Sequence, residues 1–163
     1  AYPARLQQAL ERTGRNVRCL NMGASGETSA GGLLRLGGVL QAAPRAAPYA
    51  AIVEFGANDA YQNVPPEHLA ANLDAMLEAL AEANVPTALF GIRELPFLPP
   101  EVREAYAAVY PPLAERHGAL LYPDVLAGVT GVGPHLQADG LHPNAEGVRE
   151  MVRRSLDTVL ALL

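Results

Sequence analysis

Apolar positions along the 163-residue chain follow two periods. A helical spacing runs from about Pro3 to Thr13, with Pro3 near the first turn and Gly14 just past the last. Proline suits a first turn because its missing N–H is one the helix leaves unbonded, and glycine ends helices readily. Val17 to Met22 alternates as a strand does, after which the loop Gly23 to Ser29 opens a helix reaching about Ala42. Tyr49 to Phe55 is short and almost wholly apolar, the mark of a strand covered on both faces. The polar loop Gly56 to Val64 leads through Pro65 and Pro66 into a helix ending near Asn84, where Leu69, Leu73, Met76, Leu77 and Leu80 share one face. Pro86 to Ile92 reads as a third buried strand. The proline-rich loop Arg93 to Pro100, a helix to about His117, a short strand Leu120 to Tyr122, a long loop to Asn144 and a last helix from Ala145 complete the chain.

Apolar strands alternating with helices predict an α/β fold with a parallel sheet, because each parallel neighbour needs a crossover that then covers a face. Ligands of such sheets sit outside the carboxyl ends of the strands. Those ends are Gly23 to Ser29, Gly56 to Val64, Arg93 to Pro100 and Pro123 to Asn144. No repeat or linker divides the chain, so one domain over residues 1–163 is expected.

Composition removes several function classes. The net charge is -5 and only 18% of residues are charged, which argues against nucleic-acid or anionic-membrane partners. All 12 basic residues are arginine, so lysine chemistry, a P-loop lysine or a Schiff base, is excluded. The single cysteine, Cys19, alternates within a strand pattern and reads as core. No apolar run is long enough for a membrane span, and no signal-peptide pattern opens the chain.

Three of the four loops carry candidate chemistry. GASGETS follows a strand and enters a helix, but the chain holds neither G-x-G-x-x-G there nor G-K-[ST] anywhere. The Gly26 amide can face a ligand without a side chain in the way; a tight turn accounts for the same glycine. In Gly56-Ala57-Asn58-Asp59, the Asn58 amide can donate into the crevice as an oxyanion stabiliser does, and an Asx turn is the alternative. In Asp139-Gly140-Leu141-His142-Pro143 the carboxylate stands three residues before the imidazole, close enough to hold one ring nitrogen and leave the other free as a base. A structural turn, or a metal site built from His135, Asp139 and His142, are alternatives at that position. His68 and His117 read as ordinary polar positions on helices.

Taken in order, GASGETS, the apolar strand with GAND, and DGLHPN resemble the SGNH (GDSL) hydrolases, in particular the TesA-like branch of bacterial acyl-thioesterases, arylesterases and lysophospholipases. The likeness covers essentially the whole chain, including Ile92 to Pro96 (IRELP) and the helix with Tyr106 and Tyr110 before Pro111. It implies a three-layer α/β/α sandwich with a flavodoxin-like parallel sheet of order 2-1-3-4-5. It also implies that Gly26 and Asn58 complete an oxyanion hole, that Asp139 and His142 are the acid and base of a triad, and that no metal or cofactor is needed. The implied compartment is bacterial periplasmic or secreted.

The family's first block, a strand ending in G-D-S-L whose serine is the nucleophile, does not occur here. The serines are Ser25, Ser29 and Ser155, none in a G-D-S or G-x-S-x-G context. AYPARL at the start matches the AWPALL-like segment that follows that block. The expectation is a serine esterase or thioesterase whose first strand and nucleophile lie upstream of this chain, so that residues 1–163 alone are inactive and poorly stable. A non-catalytic binding module, a metal-dependent hydrolase and a substitute role for Ser25 are the alternatives. Tyr61, Leu95 and Phe97, on the loops bordering the crevice, are the expected substrate-binding residues, suited to the acyl chain of a small ester or thioester.

Overall fold

The computed structural model describes residues 1–43 and 48–163. Its elements are α1 (Tyr2–Arg12), α2 (Ser29–Ala42), β1 (Ala51–Glu54), α3 (Ala57–Tyr61), α4 (Pro66–Glu82), β2 (Thr87–Phe90), α5 (Pro100–Ala107), α6 (Tyr110–His117), β3 (Leu120–Tyr122), a 3₁₀ turn (Gly133–His135) and α7 (Ala145–Leu162). The three strands form a parallel sheet in the order β1-β2-β3, with Ala51 opposite Thr87 and Ala88 opposite Leu120. Helices cover both sides, as the sequence pattern predicts: α1 packs on α7, which lies on β2 and β3, while α4 and α6 pack on the sheet and on each other, with α2 against α4.

The central strand is the most buried: Ala88, Leu89 and Phe90 are covered as a strand flanked on both edges and both faces must be. Phe90 takes the ring of Tyr2 edge-on at 6.1 Å and that of Tyr122 at 5.1 Å, so α1 and β3 meet over β2. The hydroxyls of Tyr2 and Ser155 lie 2.6 Å apart where α1 crosses α7, and burial pushes the Tyr2 phenol up to about 12. Across the sheet, Leu69, Leu73, Met76, Leu77 and Leu80 are buried as the face that the helical spacing predicts.

Three expectations are corrected. Val17 to Met22 is not a strand of this sheet: it forms no backbone ladder among the described residues. Instead the Gln7 side chain donates to Val17 O at 2.6 Å and accepts from Cys19 N at 2.5 Å, doing with one amide what a neighbouring strand would do. Cys19 itself is half-buried against the core. The single helix expected to reach His117 is two, α5 and α6. Pro111 and Pro112 have no N–H to give to the carbonyls of residues 107 and 108, so the helix stops and restarts with both prolines in its first turn, where nothing is lost. Finally, one turn of helix, α3, stands inside the stretch expected to be loop from Gly56 to Val64.

α2 reaches the sheet through Gly32, on which a Cβ would come within 2.7 Å of Phe55 Cε1. Two effects compete in Gly32→Ala: alanine favours helix by about 1 kcal/mol, and overpacking costs about 1–3 kcal/mol. The second is larger where the ring already stands this close, so the substitution should lower the urea midpoint of unfolding; an unchanged or raised midpoint would mean that α2 stands off the Phe55 ring.

Candidate active site

Parallel strands point the same way, so the connections after β1 (residues 55–65), β2 (91–99) and β3 (123–144) leave at one edge of the sheet. The loop of residues 23–28 joins them through α3. Asn58 Nδ2 donates to Glu27 O at 3.0 Å, and the next side chain, Asp59, accepts from Ser29 N at 2.9 and 3.2 Å and from Ser29 Oγ at 2.5 Å. Asn72 Nδ2, from α4, donates to Ser29 Oγ at 2.9 Å. Asp59 and Ser29 are both fully buried. On the other side of the loop, Arg35 donates to both carboxylate oxygens of Glu27 (2.7 and 2.6 Å) and to Met22 O (2.9 Å), and this pairing holds the Glu27 carboxyl below its usual range. Gly26 sits between these anchors at φ +77°, a conformation that costs residues with a Cβ, and its N–H has no protein acceptor among the described residues.

The loop carrying Asn58 is fastened at both ends. Tyr110 donates its hydroxyl to Phe55 O at 2.9 Å and Tyr106 donates to Val64 O; burial pushes both phenols up. Between these fastenings Tyr61 is 70% exposed and meets the Phe97 ring edge-on at 6.2 Å. The structure separates the three residues expected to bind substrate: Tyr61 and Phe97 form an open aromatic pair, whereas Leu95 is 2% exposed and packed in the core. Leu95 is thus corrected to a core residue, its side chain being already filled against the fold.

The fourth loop places Asp139 and His142. Asp124, buried behind β3, accepts from Arg93 N and Leu126 N at 3.2 Å each and couples the third and fourth loops; burial pushes its carboxyl up. Beyond it, Leu136 and Pro143 form an antiparallel bridge, and Gln137 N donates to His142 O at 2.8 Å, closing a turn with Asp139-Gly140-Leu141 at its tip. The Asn144 side chain anchors this turn: it caps α7 by accepting from Glu146 N and Gly147 N, and donates to Pro134 O and Leu136 O at 2.9 Å each. At the tip Asp139 Oδ1 accepts from Leu141 N at 2.9 Å and His142 N at 3.0 Å, while Oδ2 faces His142 Nδ1 at 2.8 Å. A carboxylate accepts, so Nδ1 carries the proton and Nε2 is left as the basic nitrogen of the neutral ring.

Gly26 and Asn58 therefore stand together in one group, and Asp139 and His142 in another. His135 does not join the second group as a metal ligand: its Nδ1 faces Gly128 O at 2.8 Å, and no cluster of three or more His, Cys, Asp or Glu side chains suited to a metal forms among the described residues. His117, at the end of α6, lies 2.7 Å from Asp74 on α4, and His68 is exposed on α4. None of the three serines is bonded to His142. Ser29 and Ser155 are buried in bonds of their own, and Ser25 is exposed. Sequence reasoning missed Ser29, Asn72, Tyr106, Tyr110 and Asn144 as builders of the site; only Asn144 carried a local signal, a cap residue before a helix start.

A sequence profile of the GDSL-like lipase/acylhydrolase family matches residues 1–150. Esterase TesA of Pseudomonas aeruginosa is 34% identical over 162 residues, which span 99% of this chain and 79% of that protein. An arylesterase of Vibrio mimicus is 30% identical over 159 residues, 96% of this chain and 78% of that one. Among solved structures, a crystal structure of TesA superposes with a TM-score of 0.92 at 33% identity, covering 100% of this chain and 89% of that one. AlinE4, an SGNH-hydrolase family esterase, superposes with a TM-score of 0.80 at 38% identity, covering 100% and 86%.

The Asp139 carboxyl is held down to about 2, first by the Leu141 N–H, then by the His142 ring, then by the His142 N–H. Its usual value is about 3.9, so the contribution of this turn to stability is complete above that value and is lost as pH falls through about 2. Carboxyl-carbon NMR should show the low midpoint. In His142→Ala the midpoint should rise and yet stay below the usual value, because the largest cause remains; a full return to the usual value would place the imidazole first.

Proposed function

The chain belongs to the GDSL-like lipase/acylhydrolase family, in the TesA-like branch of the SGNH hydrolases, and we propose that it is the body of a serine hydrolase that cleaves acyl esters or thioesters. The observation that carries this reading is the Asp139–His142 pair, with Nδ1 committed to the carboxylate and Nε2 free, on the edge of the sheet where the Asn58 loop also emerges.

In this reading the nucleophile is a serine on a strand upstream of residue 1. Two observations support it. His142 is bonded to none of the three serines present, and β1 has a sheet neighbour on one side only among the described residues, while Val17 to Met22 has none. A strand seated between them would give both a ladder and would carry a serine to the edge where His142 lies. Together with residues 1–163 it would complete one domain.

The chemistry follows from the groups in place. His142 Nε2 takes the serine proton as Oγ attacks the acyl carbonyl, and Asp139 stabilises the imidazolium that forms. The oxygen that gains charge is met by the Gly26 N–H and by the Asn58 amide hydrogen that Glu27 O does not use. His142 returns the proton to the departing alcohol or thiol, then activates the water that releases the acid. The exposed Tyr61–Phe97 pair offers the acyl chain an apolar rest beside the crevice.

Two outcomes are expected with p-nitrophenyl butyrate as substrate. With the upstream strand in place, His142→Ala should lower turnover by about 10²–10⁴-fold and Asn58→Ala by about 10²–10³-fold, with circular dichroism unchanged. Near-normal turnover in His142→Ala would remove the assignment. Residues 1–163 alone should be inactive and should melt below the form carrying a G-D-S-L strand. Equal activity of the two forms would transfer the nucleophile to Ser25, and folded but inactive protein with the strand restored would favour a binding module.

A further inference from the structure

Asp59 is a carboxylate with no exposed surface and no cationic partner among the described residues. A buried carboxylate is costly unless its oxygens are hydrogen-bonded, so the fold keeps this one only by supplying donors. Both come from one residue, Ser29: its N–H at the first position of α2 and its hydroxyl, the hydroxyl being further fixed by Asn72. Capping of α2 explains the backbone bond. It does not explain why a buried carboxylate 30 residues away serves this helix start while Thr28, at the N-cap, makes no side-chain cap of its own.

What the long-range cap achieves is registration. Consecutive side chains of α3, Asn58 and Asp59, grip Glu27 near the end of the facing loop and Ser29 at the start of α2. Two grips fix a rotation as well as a distance. The Asn58 amide is thereby held with one hydrogen on Glu27 O and the other directed away from it, and Gly26 is held one residue from that contact. From this geometry we propose that Asp59 is a positioning residue, setting the Gly26 N–H and the Asn58 amide as a converged pair through Ser29. The proposal rests on the reading of Gly26 and Asn58 as oxyanion donors. It assigns the adjacent carboxylate a part in catalysis exerted only through Asn58 and the loop, without touching substrate.

A purely structural carboxylate and a positioning one differ in how their loss combines with the loss of Asn58. The test is a double-mutant cycle in the enzyme carrying its nucleophile strand, with p-nitrophenyl butyrate as the probe and thermal melting recorded for each variant. Asp59→Asn should lower kcat about tenfold or more while KM stays within about twofold, since donor alignment matters most where charge develops. Ser29→Ala keeps the backbone bond to Asp59 and removes the hydroxyl, so it should produce a smaller loss of the same kind; it also carries the test should Asp59→Asn not accumulate as folded protein. In an Asn58→Ala background either change should cost severalfold less than in the parent, because only its effect on the Gly26 N–H is left and residues acting as a unit are not additive. The same fold-loss in both backgrounds, or a lowered melting temperature with kcat intact, would overturn the proposal. An undiminished kcat in Asn58→Ala itself would overturn the oxyanion reading beneath it, and the two failures are separable because that single variant is measured first.

Discussion

Parallel strand pairing is the constraint from which the rest of this molecule follows. With β1, β2 and β3 all running the same way, each connection must travel back across a face of the sheet, and the helices that make the journey need an apolar stripe to lie on it. The same geometry sends the three carboxyl ends to one edge, so residues as distant in sequence as Asn58 and His142 emerge on the same side. The apolar core thus settles where polar chemistry can gather. What it does not settle is how each loop stands once it has left the sheet.

That second task falls to hydrogen bonds between loops. A loop has few apolar contacts of its own, and its backbone groups must find partners or water. Here the partners are side chains set at intervals: Ser29 and Asn72 around Asp59, the tyrosine hydroxyls on Phe55 O and Val64 O, and Asn144 on Pro134 O and Leu136 O. The Asp139–His142 pair is built differently, from a tight turn whose own N–H groups serve the carboxylate. One half of the site is therefore cross-braced between elements, and the other is local and exposed.

This difference decides what could be read from the sequence. Asp139 and His142 stand three residues apart, and their contact follows from turn geometry that a short window displays. The Ser29–Asp59 and Ser29–Asn72 bonds span 30 and 43 residues, and nothing in the periodicity around any of the three announces them. Periodicity reports a tendency to be buried, not a pairing. Hence the stripe from Leu69 to Leu80 was legible, Val17 to Met22 has a strand's pattern with no strand's ladder, and Leu95 in an apolar loop could equally serve core or ligand. The prolines at 111 and 112 did carry the helix break in plain chemical terms, but the apolar positions on either side share one helical phase and mask it.

The break between α5 and α6 has an effect on how this fold can vary. Tyr106 stands on α5 and holds the Val64 end of the Asn58 loop; Tyr110 stands on α6 and holds the Phe55 end. Had the helix been continuous, the two hydroxyls would have moved as one rigid ruler, and any change in its pitch would have reached both ends of the loop. With the helix split by two prolines, the two hydroxyls stand on separate helices. The two ends of the loop can therefore shift separately, the Val64 end with α5 and the Phe55 end with α6.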